Sequence, residues 1–178
     1  MQNNIVFISG IHGVGKTTLC NNISSEFNIP YYTASKLISD VKKIPFTSLF
    51  IDGIDTNQDL LVSAANKLID RNKTCILDGH FCLLNKNEEP EKIPQKTFEL
   101  LGLKSIIVLT EDVNTIWYRL KERNNCEYDI NLLKELQEME LAYSHEISAF
   151  LNIPYIVLDL SNSDNESLLS KINDLLSV

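Results

Sequence analysis

The sequence predicts an α/β domain built on a doubly wound, five-stranded parallel sheet flanked by helices. Short, uniformly apolar runs recur along the chain, segments of helical period separate them, and a glycine-rich turn joins the first run to the first helix. Uniformly apolar strands belong to sheets covered on both faces, and strand–helix alternation is the pattern of parallel β-α-β units.

Ile5 to Ile8 is the first expected strand, and from Lys16 to Phe27 the residues Leu19, Ile23 and Phe27 recur at four-residue steps on one helix face. Pro30-Tyr31-Tyr32 reads as a short strand, followed by a helix that Thr33 or Ser35 starts and that ends before Pro45. Thr56 with Asp59 resembles a capping box, and Leu61, Ala64, Ala65 and Leu68 give the face of the next helix, leading to a strand at Thr74 to Leu77. Residues 79–95 are polar with two prolines and are expected to form a long loop, followed by a short helix that Gly102 ends. Ser105 to Leu109 is the fourth strand. Asp112 is placed to cap a helix carrying Val113, Ile116, Trp117 and Leu120, and after the polar stretch Asn124 to Asp129 a longer helix runs to about Leu151. Pro154 to Leu158 supplies the fifth strand. A final helix carries Leu168, Leu169, Ile172, Leu175 and Leu176.

With 178 residues, 44% of them hydrophobic and 22% charged, the chain suits one globular domain with a real core. Its net charge of -8 disfavours nucleic acid and anionic membrane as partners, while a small anion in a cleft remains compatible at short range. No apolar run approaches the roughly 20 residues that span a bilayer, and no basic-then-apolar leader precedes the first strand, so a cytoplasmic location is expected. Cys20, Cys75, Cys82 and Cys126 are too widely spaced for a zinc or redox motif and read as reduced thiols.

Gly10-Ile11-His12-Gly13-Val14-Gly15-Lys16-Thr17 satisfies G-x-x-x-x-G-K-[ST] between a buried strand and a helix start. Glycines let backbone N–H groups wrap an anion, and the helix dipole favours negative charge at the same point. The expected binding set for Mg-ATP is Gly10, His12, Gly13, Val14, Gly15, Lys16, Thr17 and Thr18. Within it Lys16 reaches the β- and γ-phosphates, the Thr17 hydroxyl ligates Mg²⁺, and Thr18 supports the α-phosphate. His12 stands at a variable position of the motif and is expected to face solvent.

Asp78 begins Asp78-Gly79-His80 at the carboxyl edge of the sheet, where a carboxylate either holds Mg²⁺ through water or accepts a proton from an acceptor hydroxyl. His80 either orients an acceptor or satisfies the loop backbone. Arg119 and Arg123, four apart on one helix face with Lys121 nearby, are candidates to clamp the transferring phosphoryl group. Lys36, Lys42 and Lys43 lie on the helix after the second strand, where an acceptor pocket or a solvated face accounts for them equally. Leu160 to Asp164 is positioned to touch adenine through its backbone.

Gly10 to Thr18, Thr33 to Ile38, Ile76 to His80 and Arg119 to Asp129 together resemble the ordered landmarks of the P-loop nucleoside monophosphate kinases, closest to the short-lid archaeal-type adenylate kinases and related small ATP-binding proteins. The resemblance implies a single P-loop NTPase domain of the nucleotide-kinase type, with residues 33–72 as an acceptor-binding insert and 123–130 as a short lid. It implies phosphoryl transfer from Mg-ATP to a nucleotide, nucleoside or small metabolite, with Lys16, Asp78, Arg119 and Arg123 as the catalytic set. The chain departs from that family in having only three arginines, Arg71, Arg119 and Arg123, none of them after the second strand. Its lid presents Asn124, Asn125, Cys126 and Glu127, and Met139-Glu140-Leu141 follows where an arginine-bearing turn is usual. The alternative is an ATP-binding or ATP-hydrolysing switch that reports nucleotide state to a protein partner.

Overall fold

The computed structural model describes residues 4–42, 50–51, 54–124, 127–162 and 165–176. In chain order the elements are β1 (Ile5–Ser9), α1 (Lys16–Phe27), β2 (Tyr31–Thr33), α2 (Ala34–Lys42), β3 (Phe50–Ile51), α3 (Ile54–Leu68) and β4 (Cys75–Asp78). There follow β5 (Cys82–Asn85), β6 (Pro90–Lys92), α4 (Gln95–Leu101), β7 (Leu103–Thr110), α5 (Val113–Asn124), α6 (Ile130–Leu151), β8 (Tyr155–Asp159) and α7 (Asn165–Leu176).

The main sheet has five parallel strands, as the apolar runs predict, and their order is β2-β4-β1-β7-β8. β1 lies at its centre and is fully buried, as is β4. The chain travels outward from β1 to the β2 edge, returns through β4, and then passes to β7 and β8 on the other side. Such a reversal opens a crevice beyond the carboxyl ends of the strands. Register places Asp78 beside Ile8, level with the end of β1.

Residues 79–95 are not the long loop that their polarity suggests. β5 pairs antiparallel with β6 and parallel with β3 in a second, three-stranded sheet. The polar tip is a turn closed by Asn85, whose Oδ1 accepts from the N–H groups of Asn87 (2.8 Å) and Glu89 (3.2 Å), while Glu88 takes a left-handed φ of 64°. Pro90 is tolerated because β6 is an edge strand.

Several helix starts follow their expected caps. Thr33 Oγ1 accepts from Lys36 N–H at 3.4 Å, and Asp112 Oδ1 from Thr115 N–H at 3.0 Å. Gly102 ends α4 in the left-handed conformation. The capping box at Thr56 does not form, because α3 begins two residues earlier at Ile54 and Thr56 lies inside it. Leu68 is 52% exposed, and Ile69 is buried in its place. The expected stop of α2 before Pro45 falls outside the described residues.

Phe7, Phe81, Phe98 and Tyr143 form an edge-packed aromatic cluster between the two sheets, with Phe7 to Phe81 centroids 5.2 Å apart. Gly79 permits it, since a Cβ there would lie 2.7 Å from Phe7 Cζ, a ring tip with no room to yield. Cys20, Cys75 and Cys82 are buried free thiols, and Cys126 lies outside the described residues. Among the described residues no helix is long and apolar enough to cross a membrane.

Candidate functional site

Two adjoining cavities lie beyond the carboxyl ends of β1 and β4. The first, about 380 Å³, is lined by His12, Gly13, Gly15, Lys16, Thr17, Thr18, Thr33, Ser35, Asp78, His80, Arg119 and Arg123. The second, about 320 Å³, shares His12, Ser35, Asp78, His80 and Arg123 with it and is otherwise largely apolar, walled by Phe7, Ala34, Ile38, Leu61, Leu83, Ile93 and Phe98. Asp78, His12, His80 and Arg123 therefore stand where the two spaces meet.

The glycine loop that forms the first cavity takes backbone angles few L-residues adopt, with φ of 84° at Gly13 and 116° at Gly15. Gly15 is the N-cap of α1; no side chain caps that helix and no acidic residue occupies its first turn. The open N–H groups and the dipole make an anion site there. Lys16 Nζ folds back onto the carbonyls of Gly10 (2.5 Å) and Ile11 (3.1 Å). Desolvation lowers its pKa to about 8, against the opposing pull of Asp78 and Glu140. Thr17 and Thr18 are exposed on the helix start.

His12 does not face solvent as its motif position suggests. Its ring packs on His80 at 4.2 Å, it lines both cavities, and its Nε2 is buried without a hydrogen-bond partner. Desolvation, then Lys16 and Arg123, lowers its pKa to about 3. His80 is pushed well below its ordinary value by desolvation, with Lys16 and His12 adding to the effect, although a backbone hydrogen bond at Gly10 opposes the shift. Both rings are neutral near pH 7 and offer hydrogen-bonding nitrogens rather than charge.

Asp78 is the last residue of β4 and is buried; its Oδ2 accepts from the Tyr31 hydroxyl at 2.5 Å. Burial raises its pKa, while the Tyr31 hydrogen bond and Lys16 act in the opposite direction. Arg119 lines the first cavity and braces the glycine loop. Its guanidinium donates to the carbonyls of Gly13 (3.3 Å) and Val14 (3.1 Å) and pairs with Glu111 at 3.0 Å, while Leu120 and Ile116 of the same helix pack on Gly13. Arg123 lines both cavities and donates through Nε to Asn124 at 3.1 Å. Lys121 turns away to Glu127 (2.6 Å) and the Trp117 ring. Lys36 is exposed. The side chain of Lys42, and Lys43 entirely, lie outside the described residues, as do Asn125 and Cys126 of the 123–130 stretch and Asp164 of the stretch after β8. Leu160 of that stretch would meet a Cβ on Gly15 at 3.3 Å.

Glu140 escaped the sequence reading. It lies on α6 at 1% exposure, and its carboxylate accepts from the N–H groups of Gly10 (3.1 Å), Phe81 (2.9 Å) and Cys82 (2.6 Å). One side chain thus ties the base of the glycine loop to the segment that carries Asp78-Gly79-His80. A signal was present, because Glu140 interrupts the helical stripe Leu133, Leu136, Tyr143, Ile147. Tyr31 and Glu111 were missed too, having no motif to mark them.

A glycine loop between a central parallel strand and a helix start, with the strand order seen here, defines a P-loop domain with the fold of the small kinases. The chain belongs to the AAA domain family, whose model matches residues 9–137. Among curated proteins none matches it in sequence. It is similar in fold to the shikimate kinase of Acinetobacter baumannii in complex with shikimate (TM-score 0.63, 14% identity, covering 98% of this chain and 93% of that one). The Aquifex aeolicus shikimate kinase gives a TM-score of 0.60 at 14% identity, covering 97% and 96%. A gluconokinase from Sinorhizobium meliloti gives 0.54 at 16%, covering 99% and 92%.

Proposed function

We propose that the protein transfers the γ-phosphoryl group of Mg-ATP to a hydroxyl of a small molecule. The observation that carries this reading is the pair of cavities meeting at Asp78: one suits a triphosphate, and the other is a separate, partly enclosed space for an acceptor. A switch that only reports nucleotide state has no need of the second space.

The donor set fits the cofactor. Thr17 and Asp78 both line the phosphate cavity and offer hard oxygen ligands, and Mg²⁺ commonly takes only one or two protein oxygens beside phosphate and water. The metal would be held by Thr17, with Asp78 through water, and would neutralise charge on the β- and γ-phosphates. Lys16 leaves the loop carbonyls for those phosphates, and Arg123 neutralises charge from the side facing the acceptor. The acceptor oxygen forms the new bond to the γ-phosphorus as the bond to the β–γ bridging oxygen breaks, releasing ADP. Its proton passes to the Asp78 carboxylate, whose orientation Tyr31 holds, and then to solvent.

The fold neighbours are a gluconokinase and shikimate kinases, one of them in complex with shikimate, and the family resembled in sequence acts on monophosphates. The second cavity has one cation, Arg123, among its described lining residues, so a dianionic monophosphate is poorly served. The placement of α2 and α3 residues in this cavity supports 33–72 as the acceptor-binding part, and Arg123 at its border supports 123–130 as the lid.

The test is ADP formation with Mg-ATP across nucleosides, monophosphates, sugars and hydroxy acids. At least one acceptor stimulates turnover well above the basal ATPase, and Asp78→Asn lowers kcat by about 10²–10⁴-fold for it. ATP binding with no acceptor-dependent ADP would sink the proposal.

A pH effect follows from Lys16. Phosphate contact raises its pKa from about 8 in the free protein, so ATP binding takes up a proton at pH 8.5 and weakens as pH rises through 8. Titration calorimetry in two buffers of different ionisation enthalpy reads the uptake directly; identical heats after buffer correction at zero protons would contradict it.

A further inference from the structure

Gln58 of α3 is 5% exposed and lines the acceptor cavity, and its Oε1 is buried with no hydrogen-bond partner. A buried amide oxygen left unpaired costs about 1–3 kcal/mol, so such a group is explained by a ligand that completes it. Phe7, Phe98 and Leu61 supply apolar walls beside Gln58, and Asn57, Ser35 and Asn124 are polar lining residues of the same cavity. Asp78, His12 and His80 stand at the border with the phosphate cavity.

We propose that the acceptor is an uncharged nucleoside-class alcohol, its heterocycle between the apolar walls with its edge read by Gln58, and a sugar hydroxyl at Asp78. This rests on the phosphoryl-transfer reading above and names the substrate class of that site. The chemistry favours such an acceptor over the other types. A polyol would set hydroxyls against the apolar walls that a planar base covers, and each hydroxyl left without a partner there adds a cost. A hydroxy acid or a monophosphate brings a charge that only Arg123, among the described lining residues, would meet, with the Asp78 carboxylate opposing it.

A planar base suits the walls on both counts. Its faces are apolar enough to lie against Phe7, Phe98 and Leu61, and its edge carries an adjacent donor and acceptor. A glutamine amide presents the complementary acceptor and donor in one plane, which is how such amides read base edges. A cavity of about 320 Å³ is at the small end for ligand sites and suits one molecule of this size. His12 stands at the same border, where the sugar would sit, and its Nε2 is buried without a hydrogen-bond partner.

The experiment measures binding of nucleosides to the full chain by calorimetry, and turnover with Mg-ATP using mass spectrometry of the product. Purine and pyrimidine nucleosides are compared with their monophosphates, hexoses and hydroxy acids, in the wild type, Gln58→Leu and Gln58→Glu. The expected result is a nucleoside monophosphate as product from at least one nucleoside. Gln58→Leu then raises KM by about 5–150-fold with kcat changed little and ATP affinity unchanged. Gln58→Glu, which keeps the acceptor and loses the donors, shifts the preferred base. Preferential phosphorylation of a hexose, a hydroxy acid or a monophosphate overturns this inference and leaves the transferase reading standing. Nucleoside turnover indifferent to Gln58→Leu overturns the role of Gln58. ATP binding without any acceptor-dependent ADP overturns the transferase reading itself and this inference with it.

Discussion

Replacing Glu140 with leucine is expected to remove about 3–5 kcal/mol of folding stability. The carboxylate is the acceptor for three backbone N–H groups, those of Gly10, Phe81 and Cys82, and leucine leaves all three buried and unpaired. For a chain of this size that loss corresponds to a fall of about 10 °C in thermal midpoint. Glu140→Gln keeps the shape and one acceptor oxygen, so its cost is smaller. The charge is itself expensive to bury, as the upward shift of the Glu140 pKa by desolvation indicates. Denaturant unfolding of the two variants beside the wild type checks the ranking. Equal stability of Glu140→Leu and wild type would mean that the three N–H groups find other partners and that this tie is dispensable.

Lys16→Met is expected to act in the opposite sense, abolishing function without harming the fold. Turnover with the best acceptor falls by about 10²–10³-fold or more, because the cation aimed at the developing charge on the γ-phosphoryl group is gone. Stability at pH 7 stays level or rises. The folded-state pKa near 8 lies below the ordinary value of 10.5, so the fold disfavours the charged amine relative to the unfolded chain. That sign means stability contributed at this position grows with pH between about 8 and 10.5 in the wild type, and the methionine variant loses that slope. Thermal unfolding at pH 7 and pH 10 reads both effects. A methionine variant that is strongly destabilised at pH 7 would show that Lys16 bonds to Gly10 and Ile11 hold the loop together, rather than storing a charge for the ligand.

These two residues mark how far the sequence could be read. Lys16 was legible because its chemistry is local: a strand, three glycines, a lysine and a helix start lie within a dozen positions, and the motif carries its own geometry. The five-stranded parallel sheet was legible for a similar reason, since the central strands are short and largely apolar and helical segments separate them. Asp78 could be placed at the carboxyl edge of the sheet, because register follows once β1 and β4 are neighbours.

What only the tertiary structure decided is set by contacts between segments far apart in the chain. Glu140 is 130 residues from Gly10, and nothing local says that a glutamate in α6 will be pulled inside to accept from the glycine loop. His12 sits at a position the motif leaves free, and its inward turn depends on His80, which the β1–β4 pairing brings beside it. The segment 79–95 reads as a loop because a polar turn and two prolines outweigh the few apolar residues of β5, whose pairing partners β3 and β6 exist only in the folded chain. The same holds for the second cavity. Gln58 has no motif, and only the packing of α3 leaves its amide oxygen buried and unpaired on a residue that lines the second cavity. Local pattern therefore determined the sheet and the phosphate loop, where backbone geometry and short-range periodicity suffice, and long-range packing determined the second cavity, where burial changes what a side chain can do.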